Sequence, residues 1–165
     1  MPARKQLRQG ETLTAFDPGD VLQDTEFRDC TFEACRWQGL RAQNCSFIDC
    51  RFVRCQLSGV VFSFCLMRDA VMENCALRSI AWGGLTGRSA VAQPFAALTN
   101  CSFQYSDFSG APLGRTAFTR CDLQKADFRR AEAYAIDPAA NKLKGARFSF
   151  PEVVALLDSA GIQIE

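Results

Sequence analysis

The chain has 165 residues, 48% of them apolar, with nineteen basic and eighteen acidic side chains and a formal net charge of +1. That length suits one domain with a continuous core, and the apolar content excludes wholesale disorder. The balanced charge gives no general attraction to nucleic acid or membrane surfaces, and no apolar run reaches the roughly 18 residues that a spanning helix needs.

Residues 1–19 carry no repeat. The opening stretch MPARKQLRQGETLTAF has basic residues but no apolar h-region, so it is not read as a secretory signal, and a cytoplasmic location is expected. Arg4, Lys5 and Arg8 are expected in a frayed tail. Leu13 and Phe16 are expected to fold over the first coil as a cap, because the end of a repeat array otherwise exposes apolar surface. Asp17-Pro18-Gly19 reads as a turn.

From about Asp20 the chain falls into fives. Residues 25–84 read TEFRD CTFEA CRWQG LRAQN CSFID CRFVR CQLSG VVFSF CLMRD AVMEN CALRS IAWGG. The third residue of each five is large and apolar, from Phe27, Phe32 and Trp37 to Leu77 and Trp82, with Ala42 as the exception. A period of five matches neither a helix nor a strand and marks a repeat array. Two residues before each centre sits a small or medium residue, most often Cys. Where the centre shrinks to Ala42, this neighbour grows to Leu40, a swap that conserves volume.

The register breaks at LTGRSAVAQPF, residues 85–95, and resumes at Ala96 shifted by one residue, with centres at Leu98, Phe103, Phe108, Leu113, Phe118, Leu123 and Phe128. An excursion from the array is expected here. The alternative, two degenerate fives followed by a single inserted Phe95, puts Gly87 and Ala92 at centres and leaves voids. Past Ala133 the pattern weakens but keeps its phase, with Pro138, Leu143 and Phe148 at centres; Pro138 departs from the rule, so an irregular corner is expected there. Ser149 and Glu152 have the spacing of a capping box, with Pro151 in the first turn. Phe150, Val153, Val154 and Leu157 would share one helical face. Gly161 is a helix stop, and Ile162 and Ile164 alternate like a short strand.

Two inward residues in every five suit a chain that turns a corner every five residues, four sides making a coil of twenty. This pattern, with ADFRR at 126–130 and CDLQK at 121–125 close to A(D/N)LXX, resembles the pentapeptide-repeat family over about 20–148. The resemblance implies an all-β solenoid, a right-handed quadrilateral β-helix, here ending in a short C-terminal α-helix. The expected organisation is an N-terminal tail or cap at 1–19, the β-helix at 20–148 interrupted by a loop at 85–95, and a capping and dimerisation element at 149–165.

Nine cysteines, an odd number, all fall two residues before a centre; no CxxC spacing and no His accompanies them. Reduced, buried packing residues are therefore expected, with no metal and no cofactor. The outward carboxylates Asp107, Asp122, Asp127 and Asp137 raise an acid/base pair at Asp107 and Asp127. Arg147 continues that column and Lys142 stacks over Asp122, so a surface charge ladder is expected and not an enzyme. The arginines alternate with acids and form no run, so direct nucleic-acid binding is not expected.

The function expected is a non-enzymatic scaffold for a protein partner. The resemblance extends to quinolone-resistance (Qnr-type) members, which bind type II topoisomerases such as DNA gyrase and in some cases imitate DNA; the near-neutral charge departs from strong mimicry. The interruption at 85–95 resembles their projecting loops, which makes Gly87, Arg88, Gln93 and Phe95 the candidate partner-binding residues. The resemblance also implies a homodimer through the C-terminus, with Val153, Leu156, Leu157, Ile162 and Ile164 as interface candidates.

Overall fold

A computed structural model describes residues 4–82, 85, 95–114 and 116–164. Each five supplies a short extended segment around its inward centre and a corner two residues later. The corners turn through left-handed backbone, with φ of +47° at Asp24, +52° at Asn44 and +53° at Asp49. Side chains resist that conformation least when they are Asn, Asp or Gly, and Gly39 and Gly59 take it at +64° and +58°.

Four corners close one turn, and the turns stack into four parallel sheets. Face 1 holds β1 (Gln6–Gln9), β4 (Thr25–Arg28), β8 (Ser46–Ile48) and β12 (Leu66–Arg68). Face 2 holds β2 (Thr12–Thr14), β5 (Thr31–Glu33), β9 (Arg51–Val53), β13 (Ala70–Glu73), β15 (Phe95–Thr99) and β16 (Ala117–Thr119). Face 3 holds β6 (Arg36–Gln38), β10 (Gln56–Ser58) and β14 (Ala76–Arg78), and face 4 holds β3 (Val21–Gln23), β7 (Arg41–Gln43) and β11 (Val61–Ser63). Partners stand twenty residues apart in the regular turns, as in Trp37↔Leu57↔Leu77, and nineteen apart in the first. Beyond residue 100 the ladder continues mostly as single bridges, such as Ser102↔Asp122↔Lys142 and Asp107↔Asp127↔Arg147. The protein is thus the all-β solenoid with a short C-terminal helix that the repeat implies.

The centres fill the interior. Phe27 stacks on Phe47 at 5.3 Å, Phe32 on Phe52 at 4.7 Å, Phe108 on Phe128 at 4.8 Å and Phe128 on Phe148 at 5.2 Å. These separations match the roughly 4.8 Å between paired strands, so the rings repeat with the backbone. Ala42 and Leu40 are both buried, as the volume trade requires.

Four expectations need correction. The array begins before Asp20: β1 pairs with β4 and β2 with β5, so residues 6–14 already belong to the first turn. Arg8 is not frayed, because it pairs with Glu11 at 2.6 Å and lies over the rings of Phe16 and Phe27 at 5.2 and 5.9 Å, covering the open end of the core.

The second correction concerns the register break. Ala70 pairs with Phe95, twenty-five residues on, whereas Val71 pairs with Ala97, twenty-six residues on, with a bulge between the two pairs. The one-residue phase change is therefore the bulge at Ala96. The turn uses five residues more than the regular turns up to Phe95 and six with the bulge included, not the eleven of a complete excursion. Leu85 and Phe95, at the two ends of the segment, are fully buried.

Third, Pro138, which the phase places at a centre, is only half-buried, and its corner is irregular as the proline implies. Tyr134 and Ile136 are buried in that corner, and Asn141 takes the inward position before Leu143. Fourth, α1 spans only Val154–Ser159. Its late start turns Leu156 inward and leaves Phe150 82% and Leu157 38% exposed, so the apolar face expected there does not form. Ser149 pairs with Glu152 through its side chain at 3.2 Å, ahead of the helix and not at its cap. Ile162 and Ile164 form no strand and are 50% and 56% exposed.

Candidate interaction surface

All nine cysteines are free and buried. Each inward thiol donates to the main-chain oxygen of a residue in the turn beneath: Cys55 to Phe32 at 3.3 Å, Cys75 to Phe52 at 3.4 Å and Cys121 to Leu98 at 3.2 Å. Other polar residues in the same position do the same. Ser106 Oγ donates to Leu77, Thr116 Oγ1 to Phe95 and Asn141 Nδ2 to Phe118, at 3.0, 3.1 and 3.1 Å. The position thus selects a small donor, and thiol chemistry is incidental to it. Burial pushes the Cys50 thiol up to about 12. Cys65 departs from this trend: its sulfur accepts the Cys45 N–H at 3.4 Å, and hydrogen bonding from Cys45 draws its pKa down. Among the described residues no cluster of Cys, His, Asp or Glu is arranged to hold a metal ion.

The outward carboxylates form the expected ladders. Asp127 sits between Asp107 and Arg147, and the Arg129 guanidinium, 2.6 Å away, holds its carboxyl below the ordinary range. A carboxylate ionised in that way is a poor proton donor at neutral pH. Asp122 accepts from Gln104 at 2.7 Å beneath Lys142, and Asp137 accepts the Ala139 N–H at 2.8 Å. Asp107 accepts the Ser109 N–H at 2.8 Å, so each of the four carboxylates is bonded to its surroundings on the surface.

Of the expected partner-binding residues, Gly87, Arg88 and Gln93 lie outside the described residues. Phe95 is corrected: its ring is inside the core, 5.1 Å from Trp82 and 6.4 Å from Phe108, and offers nothing to a partner. The C-terminal candidates divide. Leu156 is buried and Val153 packs against the core, whereas Leu157, Ile162 and Ile164 are exposed together with Phe150.

One apolar group was missed by the sequence reading. Phe64 stands on the edge between faces 4 and 1 and is 91% exposed, beside Val61 at 54%. It occupies a corner at φ +54°, in the column where the turns beneath place Asp24 and Asn44. In the sequence the register breaks about twenty residues later. Among the described residues β11 ends its sheet on face 4, and Ala81 is bridged to Asp107. Only the vertical alignment of corners, invisible in a one-dimensional pattern, marks Phe64 as unusual.

Shallow grooves mark the described surface. One of 710 Å³ runs along the edge between faces 2 and 3 past Arg54, Asn74, Asn100 and Arg120, and one of 500 Å³ crosses face 3 between Arg36 and Arg78.

Comparison with known proteins follows the same geometry. A family model described as a pentapeptide repeat region matches residues 25–90, and one described as pentapeptide repeats, in eight copies, matches residues 96–132. The gap between them coincides with the register break. No curated protein matches the chain. Among solved structures, a trypsin-treated variant of QnrB1, a plasmid-mediated fluoroquinolone resistance protein, is similar at 16% identity, with 98% of each chain covered and a TM-score of 0.39. Full-length QnrB1 is similar at 16% identity over 94% of this chain and 100% of that one, with a TM-score of 0.23. HetL, a pentapeptide repeat protein involved in heterocyst differentiation regulation in the cyanobacterium Nostoc sp. strain PCC 7120, is similar at 14% identity over 88% and 90%, with a TM-score of 0.20. Likeness at these values carries no statement about what this chain binds.

Proposed function

Because the chain belongs to the pentapeptide-repeat family, we propose that it is a non-catalytic scaffold whose partner is a protein, docked on the edge around Phe64. The observation that carries this reading is the exposure of Phe64, 91%, at a left-handed corner. A bulky side chain there bears a backbone penalty of about 1–2 kcal/mol and gains no burial. Exposed aromatic side chains held on rigid scaffolds are the usual anchors of protein interfaces. The turn from Ala70 to Phe95 carries five residues more than the regular turns, and extra residues on rigid scaffolds are where binding concentrates.

A second copy of the chain is the proposed occupant of the C-terminal end, where Phe150, Leu157, Ile162 and Ile164 are exposed together. A two-fold contact is the commonest way to cover such a surface.

Capture from the native host with the full chain, compared with its Phe64→Asp variant, tests the docking edge. A protein retained by the first and lost by the second, then bound in purified form with the same dependence, supports the reading. A type II topoisomerase is the first purified partner to assay, since Qnr-type members point to that class. Equal binding of partner to both chains refutes the Phe64 edge.

A further inference from the structure

Face 3 is an unbroken ladder. Its outward column runs Arg36↔Gln56↔Ala76↔Ser102↔Asp122↔Lys142, bridged at every step, and it passes straight through the turn that carries the bulge. Six rungs at roughly 4.8 Å give a flat surface about 24 Å long. The whole face lies within the described residues.

Its chemistry is one-sided. Arg36 and Lys142 project from one side of the strands, with Arg54 and Arg120 on the neighbouring edge. Arg78 and Lys144 project from the other side, with Lys125 on the far edge. These seven cations meet a single carboxylate on the face, Asp122, which is taken up by Gln104 and Gln124. Arg54 also reaches Glu33 on face 2. The remaining positions are amides, hydroxyls and small residues, among them Gln38, Gln56, Ser58, Asn74 and Asn100. The chain as a whole is nearly neutral at +1, so the concentration of positive charge on one face is a product of the fold.

We infer that face 3 is a docking surface for double-stranded DNA, held through its phosphate backbone. Two features favour nucleic acid over an acidic protein. Protein interfaces are anchored by buried apolar side chains, and no exposed large apolar side chain lies on this face; Tyr105, on its edge, has Lys125 Nζ bonded to its hydroxyl at 3.0 Å. Surfaces that bind nucleic acid are instead polar and strongly positive. Tyr105 alone also makes no stacking row, which single strands require. A length of about 24 Å spans about seven base pairs, whose phosphates the two rows of cations flank. The reading is independent of the Phe64 edge, which face 4 separates from face 3.

The test is fluorescence anisotropy of the full chain with a labelled duplex of about 24 base pairs, between about 50 and 200 mM salt. If some six phosphates are neutralised, affinity falls about 1,000-fold over that range. The triple variant Arg36→Gln, Arg78→Gln, Lys142→Gln should flatten the log–log salt slope by about 3 and weaken binding at least about 100-fold at the lowest salt. The triple variant Arg41→Gln, Arg51→Gln, Arg68→Gln removes the same charge elsewhere and should bind within about threefold of the parent. Melting curves check the folds, and the double variant Lys142→Gln, Lys144→Gln stands in if the first triple melts early. Absence of duplex binding at the lowest salt overturns the inference, as does equal loss in both triples. Competition by polyglutamate at equal charge concentration also overturns it, by making an acidic protein segment the occupant.

Discussion

Cys121 Sγ donates to the main-chain oxygen of Leu98, 3.2 Å away and twenty-three residues earlier in the chain. The same bond recurs wherever a thiol faces inward, and it places every cysteine where reagents do not reach. Labelling with a thiol reagent should be slow in the native protein and complete after denaturation. Cys65, whose pKa is drawn down by hydrogen bonding from Cys45, should be the first to react on partial opening. Several fast-reacting thiols in the folded chain would contradict the ladder.

The same thiols make stability sensitive to alkali. The folded-state pKa of Cys50 is pushed up to about 12 by burial and that of Cys75 to about 12 by the thiol of Cys101. An unfolded thiol titrates near 8.5. Their contribution is therefore fully present below about pH 8.5 and is lost progressively as pH rises toward 12. Urea midpoints measured from pH 7 to 11 should fall over the upper half of that range; a flat profile would mean that the thiols ionise as freely folded as unfolded.

Phe52→Ala removes a ring stacked on Phe32 at 4.7 Å and buried to 1% exposure. The expected loss is about 3–5 kcal/mol, because neighbours above and below keep the cavity open. A change under about 1 kcal/mol in denaturant unfolding would be incompatible with this packing.

Removing all of 85–95 should destabilise the protein strongly, since Leu85 and Phe95 are fully buried. Removing five residues from within 86–94 should instead preserve folding, because the turn from Ala70 to Phe95 is five residues longer than the others. The shortened chain should melt near the parent temperature and lose affinity for the protein partner. Unfolding of the five-residue deletion would show that this count does not describe the turn.

Phe64→Asn should raise stability by about 1 kcal/mol, because Asn accepts the left-handed corner more readily, and should lower partner affinity at least about tenfold. Opposite signs for the two measurements identify a residue kept for binding. Loss of stability would mean that the exposed ring has a structural role.

At micromolar concentration the full chain should sediment as a dimer, and Ile162→Asp with Ile164→Asp should sediment as a monomer. A monomeric parent chain would dispose of the C-terminal contact.

The period of five was legible in the residues because it is enforced locally. A centre such as Phe27 or Phe52 must be large, its inward neighbour must be small, and a corner such as Asp24 or Asn44 must accept left-handed backbone. Each requirement is met within one five, so the four-sided coil and nearly all of its core could be read in one dimension. The outcome at Phe95 and Leu156 could not. Each depends on where the chain re-enters the stack after an irregular turn, and a single bulge at Ala96 or a helix starting at Val154 redirects the side chains that follow. The surfaces were still less accessible. Arg36, Arg78 and Lys142 alternate with acids along the chain and look dispersed, yet the stacked turns bring them onto one face. Burial is decided by local volume and propensity, which neighbouring residues encode. A surface is decided by which turns lie above one another, and only the tertiary register determines that.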